Sequence, residues 1–194
     1  MSEDLNQQTI VPFLADIFVR RGAESYLGEA VTVSEHMRQA ASLAEQSGAC
    51  DELVAAALLH DIGHFTSEFG TYSVDDTQDK YHDAAGARAL QDYFPPLVTE
   101  SVRLHVAAKR YLCAVDPAYF GQLSPASVHT LSLQGGPMTA AEAGDFEAQA
   151  FYREAVMVRK WDDGGKTVGR AIKPFAAYAP LLQAIVDGHA RRLD

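Results

Sequence analysis

Apolar residues recur along this chain at helical spacing. Val33, Met37, Ala40, Ala41 and Ala44 fall on one face, the 3.6-residue period of a helix that buries a single stripe. Ser34 reads as its N-cap, Gln46 as its approximate end and Gly48 as its stop. Asp51 then caps a second helix, in which Leu53, Val54, Ala57 and Leu58 lead to His60-Asp61 and Gly63 marks the end. A polar segment, "TSEFGTYSVDDTQDKYH", delivers His82 to a helix that ends before Pro95-Pro96. From about Leu97, Val98, Val102, His105 and Lys109 follow at i, i+4, i+7 and i+11, one continuous face. The stretch "DPAYFGQLSPASVHTLSLQGGPM", rich in proline and glycine, reads as a long irregular loop with a binding role. Phe151, Ala155, Val158 and Asp162 repeat the helical spacing up to Gly164-Gly165, and a last helix starts near Pro174. No alternating run predicts a strand. The expectation is an all-α bundle, one domain over residues 1–194.

Composition narrows the function classes. With 47% hydrophobic and 22% charged residues the chain can bury an ordinary globular core. A formal charge of −10 argues against a nucleic-acid surface. The longest apolar run, "LVAAALL", is far too short to cross a bilayer, so no membrane partner is expected. The N-terminus "MSEDLNQQ" is polar and acidic, unlike a signal peptide. Cys50 and Cys113 show no CxxC or metal-ligand spacing and read as small core residues in a reducing cytoplasm. Oligomeric state has no signature in the pattern.

One feature breaks the apolar pattern. "AAALLHDIGHF" drives two adjacent ionisable groups, His60 and Asp61, into an apparent core, where unpaired charge is costly enough to require a partner. Single histidines on apolar faces are usually hydrogen-bonded core residues. Here His36, His60, Asp61, His82, His105 and Asp162 come from five segments, in the order H…HD…H…H…D. Four imidazoles and two carboxylates suit a borderline metal such as iron, manganese, zinc or nickel. Six ligands exceed what one catalytic zinc takes from its protein, so the set divides over two metals. Asp61 can bridge, His36, His60 and Asp162 complete one metal, and His82 and His105 the other, whose open positions serve substrate or dioxygen.

Within that order, H…HD…D resembles the signature of the HD-domain superfamily, and the two additional histidines resemble its dinuclear branch. Together with "YLGEAVTVSEHMRQAASLAEQ", "KYHDAAGARAL", "VRLHVAAKRYLC", "LSPASVHTLSLQGGPM" and "VRKWDDGGK", the ligand order resembles the small HD-domain mixed-valence diiron oxygenases that cleave carbon–phosphorus bonds. The myo-inositol oxygenases share the ligand order but are larger and lack the "LQGGPM" loop. The resemblance implies an HD-domain helical bundle around a dinuclear site holding two iron ions, Fe(II)/Fe(III). The implied substrate is a small-molecule phosphonate, (R)-1-hydroxy-2-aminoethylphosphonate or its N-trimethyl analogue, split with O2 to phosphate plus glycine or glycine betaine. It further implies Tyr26 as a resting-state iron ligand and Glu29 as the partner of the substrate ammonium. His64, Lys109, Ser127, Thr130, Gln134 and Arg159 match phosphonate and support contacts. Lys109 lies one turn beyond His105 on the same face; read without the resemblance, it is a routine solvated lysine. Gly135 and Gly136 are candidates to let backbone N–H groups approach an anion. Tyr26, Tyr72, Tyr81 and Trp161 are candidate walls for a methylated cation. His129 and His189 have no place in the set. The alternatives are a metal-dependent HD phosphohydrolase acting on a nucleotide or phosphomonoester, and a catalytically silent HD module.

Overall fold

Helix α2 (Val33–Gln46) shows how local chemistry positions the site. Its N-cap is Thr32, not Ser34: the Thr32 hydroxyl accepts from the Glu35 N–H while the Glu35 carboxylate accepts from the Thr32 N–H. This capping box satisfies two N-terminal donors reciprocally and starts the helix three residues before His36. Ser34 lies inside the first turn, buried. Gly48, at φ 75°, takes the left-handed position that terminates the helix.

The structure, a computed structural model, describes residues 5–25, 28–67 and 75–193. Among these it is all-helical, with Ser25–Thr32 an isolated bridge. Helix α1 (Ile10–Arg21), which the sequence reading passed over, buries Ile10, Val11, Leu14, Ile17 and Phe18. Helix α3 (Asp51–Leu59) is buried on every side from Leu53 to Leu59, the mark of a central helix. Its N-cap is Cys50, with Asp51 in the first turn. It stops at Leu59, so His60 and Asp61 stand in a turn, and Gly63 opens the short α4 (Gly63–Thr66) instead of closing α3. A Cβ at Gly63 would meet the His82 carbonyl oxygen at 1.7 Å; glycine is what lets the start of α5 (His82–Leu90) come this close.

Helix α6 (Pro96–Val115) begins with proline at its first position and packs against α3, α5 and α9 (Tyr152–Gly164). Phe151 is not in α9 but precedes it, at φ 64°. The proline- and glycine-rich stretch is less irregular than its composition suggests. It contains α7 (Pro125–Leu133), capped by the Ser124 hydroxyl with proline at its first position. Helix α8 (Ala140–Glu147) follows, with its own capping box between Thr139 and Glu142. The last helix, α10 (Ala179–Leu193), covers α1 and α3. Neither cysteine is a core residue: Cys50 is exposed and Cys113 half-buried, both as free thiols. No helix is long and apolar enough to cross a membrane among the described residues.

Candidate metal centre

The turn after α3 meets α2, α5, α6 and α9 at one point, and each brings a ligand type to it. His36 comes from α2, His60 and Asp61 from the turn, His82 from the first position of α5, His105 from α6 and Asp162 from α9. All six are buried, none more than 5% exposed.

Distances divide them into two pairs around one carboxylate. The Nε2 atoms of His36 and His60 are 3.1 Å apart, as are those of His82 and His105. Asp61 Oδ2 lies 3.5 Å from His36 Nε2 and 3.4 Å from His60 Nε2. Asp61 Oδ1 lies 3.2 Å from His82 Nε2 and 3.5 Å from His105 Nε2. Asp162 Oδ1 joins the first pair, 3.2 Å from His36 Nε2. Two donors that hold one ion at about 2.1 Å and a right angle stand about 3 Å apart, so each pair has the spacing of ligands. Asp61 Oδ2 and Asp162 Oδ1 are buried without a well-directed hydrogen-bond donor, a cost that a cation removes.

The imidazoles are oriented for the same purpose. Nδ1–H of His36 donates to Gly165 O at 3.1 Å, that of His60 to Ala57 O at 2.8 Å and that of His105 to Val102 O at 2.7 Å. Anchoring Nδ1 to a carbonyl turns each Nε2 inward. Burial pulls the His36 ring toward the neutral form, but the Asp162 and Asp61 carboxylates outweigh it and hold the ring up to about 9. Burial and the neighbouring His64 push His82 down to about 3, leaving it neutral. Asp61 and Asp162 stay ionised: burial opposes this, but the charge of His60 on one and of Arg159 on the other drives both well below the usual carboxylate range. Two buried carboxylates that hold a proton on a histidine are a site that asks for positive charge, and metal ions replace that proton.

A small cavity opens onto this cluster from one side. Its wall includes Asp61, His82, His105 and Asp162, whereas His36 and His60 do not reach it. The His82–His105 half is therefore the accessible one. Lys109, read without any resemblance as solvated, is 2% exposed, and its Nζ donates to Thr130 Oγ1 at 2.8 Å on the cavity wall. Burial and the nearby Arg159 lower its amine to about 7. His64 stacks on His82 with ring centroids 4.3 Å apart and also lines the cavity.

Arg159 reaches the cavity too, but its guanidinium is already engaged. It pairs with Asp162 Oδ2 at 2.7 Å and with Asp163, and Nε donates to the Tyr119 hydroxyl at 3.0 Å. Its geometry is that of a group that orients Asp162. Of the two residues that complete this network, Asp163 lies in the motif "KWDDGGK", whereas Tyr119 had no signal in the sequence. Lys166 in that motif was likewise missed; it lines the cavity beside Ser127. Gln134 caps the C-terminus of α7 and is not part of the cavity wall. Gly135 and Gly136 sit against Arg110, whose Nε donates to Gly136 O at 2.8 Å, and not at the anion end. Of the proposed aromatic walls, Trp161 belongs to the main core and Tyr81 is 61% exposed. Tyr26 and Tyr72 lie outside the described residues.

Comparison with known proteins adds the chemistry of relatives. A family model described as the HD domain matches residues 33–133. A protein of Leisingera caerulea is 52% identical over 185 residues, 95% of this chain and 94% of that protein. Its name is 1-hydroxy-2-(trimethylamino)ethylphosphonate dioxygenase (glycine-betaine-forming). A hydroxymethylphosphonate dioxygenase of Gimesia maris is 46% identical over 84% of this chain and 82% of its own length.

Proposed function

The chain belongs to the HD-domain family, and from that premise we propose that it is a phosphonate dioxygenase. Its substrate is (R)-1-hydroxy-2-aminoethylphosphonate or the N-trimethyl analogue. The C1–P bond breaks, C1 is oxidised to the carboxylate of glycine or glycine betaine, phosphorus leaves as phosphate, and O2 is reduced. The observation that carries this reading is the accessible half of a cluster of metal-ligand side chains on a cavity wall that also holds Lys109, Thr130 and Ser127. The two named relatives act on phosphonates with dioxygen, which supports oxidation over hydrolysis of a phosphomonoester. A cytoplasmic location is part of the reading.

The residues fit two metal ions, and in this proposal both are iron. When bound, an Fe(II)/Fe(III) pair supplies dioxygen activation and the electrons that a protein side chain lacks. His36, His60 and Asp162 would hold one ion and His82 and His105 the other, with Asp61 the carboxylate common to both sets. The substrate enters on the His82–His105 side because His36 and His60 are sealed. Protonated Lys109 donates to a phosphonate oxygen, a charge-assisted contact, with Thr130 and Ser127 as hydroxyl partners. His64, held flat against His82, presents a donor at the same end. Arg159 keeps Asp162 ionised and aimed, so its effect on substrate passes largely through that carboxylate. Glu29 receives the cationic end of the substrate. Tyr26, outside the described residues, would be a resting-state iron ligand, and Gln134 caps α7.

The test is phosphate release by the purified, iron-loaded protein, with either aminophosphonate, under air and under argon. Phosphate should appear only under air, with equimolar oxygen uptake, and the resting enzyme should give a coupled mixed-valence EPR signal. Turnover of a phosphomonoester under argon, with the aminophosphonates untouched, would replace this reading by the phosphohydrolase one.

A further inference from the structure

Asp61 and Asp162 are the only carboxylates on the cavity wall among the described residues, and both serve the cluster. A further acid, Glu29, pairs with Lys166, which lines the wall. Lys166 Nζ is 3.1 Å from Glu29 Oε1, donates to Ser127 Oγ at 2.9 Å and to Ser124 Oγ at 3.1 Å. An ammonium has three N–H donors, and these are three acceptors for them. The Ser124 hydroxyl in turn donates to Glu29 Oε1 at 2.5 Å. The two charged side chains are only 12% and 14% exposed, so neither is a loose surface group.

Building on the phosphonate dioxygenase reading, we propose that Lys166 is a specificity-determining residue: a built-in cation that sits on Glu29 and that a cation-bearing substrate displaces. The relatives differ at this point of chemistry, since one acts on a phosphonate with a quaternary ammonium and the other on a phosphonate with no cation. A mostly buried carboxylate left unpaired is costly. Lys166 supplies the pairing when the substrate has no positive end. A trimethylammonium has no N–H and binds through charge alone, so it gains from Glu29 only as far as Lys166 withdraws. The two serines keep Lys166 solvated by hydroxyls as it does so. Lys166 thus lowers the advantage of cationic over cation-free phosphonates, and its position beside Ser127 joins the two ends of the cavity.

The experiment is calorimetric titration of the metal-loaded full chain under argon with 1-hydroxy-2-(trimethylamino)ethylphosphonate and with hydroxymethylphosphonate. The readout is the ratio of the two affinities, which cancels any shared loss at the phosphonate end. Lys166→Met and Lys166→Gln should each raise the ratio in favour of the cationic ligand by about tenfold, the scale of one charge-assisted contact. Lys166→Arg should stay near wild type, and Glu29→Gln should lower the ratio by about as much. A ratio that is unchanged or falls in both neutral variants overturns the proposal. Should the ratio behave as expected while no phosphate forms under air, the dioxygenase reading fails and this inference stands. Wild-type protein that binds neither phosphonate removes both.

Discussion

Lys109 concentrates the chemistry of single residues in this protein. An amine at a helix position four residues after a ligand is ordinary; one that is 2% exposed and lowered to about 7 is not. Burial disfavours the charged form, and Arg159 adds like charge. In the proposed function, phosphonate binding favours the protonated amine, so above pH 7 each binding event must first add a proton. Because the free-state value is lowered, the contact is fully present below about 7 and weakens as pH rises through it. KM should therefore rise with pH above about 7 in wild type and be flatter in Lys109→Ala, a comparison that removes the substrate's own titration. The same variant should raise KM by one to two decades at pH 6, from a contact worth roughly 1.5–3 kcal/mol. A KM that is equal in both proteins would take Lys109 out of the anion seat. Arg159 is the opposite case: a formal charge near the cavity that Asp162 and Asp163 already occupy.

At the scale of elements, the site depends on how closely α4 and α5 approach. Gly63 faces the His82 carbonyl with no room for a Cβ, so the distance between Asp61 and His82 is set by a missing side chain. Gly63→Ala should push the start of α5 outward and take His82 away from its 3.2 Å approach to Asp61 Oδ1. Metal content should fall toward one ion per chain. Overpacking of this kind costs about 1–3 kcal/mol, which for a chain of this size is a drop in Tm of roughly 5 °C. A variant with full metal content and wild-type Tm would mean that α5 tolerates displacement. The sequence reading took Gly63 for a helix stop, because a glycine after an apolar run has that meaning locally; its real constraint comes from a carbonyl nineteen positions away. Thr32 displaced Ser34 as cap for a related reason: Glu35 completes a reciprocal pair with Thr32, three residues before it.

For the whole molecule, the proposed metal cluster would act as a staple. Its ligands tie α2, the turn after α3, α5, α6 and α9 to one point, and without ions they leave two buried carboxylates in want of positive charge. Chelation should lower Tm, since ligands that bind only the folded state add about 2.7 kcal/mol at a hundredfold excess over Kd. That is roughly 5–10 °C here, readable by calorimetry with and without chelator and restored by added Fe(II). Equal melting of the stripped and loaded protein would show that the helices hold the ligands in place unaided.

What the sequence determined by itself is the helical character, the inward faces and the ligand types. Helical periodicity puts His36, His105, Lys109 and Asp162 on buried stripes through purely local geometry, and "LLHD" is legible because no apolar run ends in unpaired charge without cause. Tertiary structure alone decided which half of the cluster opens to the cavity, what Arg159 holds, and that Lys166 reaches Glu29. It also showed α7 inside a stretch whose prolines and glycines read as a loop, with Pro125 at the helix start and Gly135 and Gly136 just beyond its end. His36 is anchored by a carbonyl 129 positions away, and Ser124 meets Glu29 across 95. Contacts at that separation are created by the packing of helices, and no local pattern of residues encodes them.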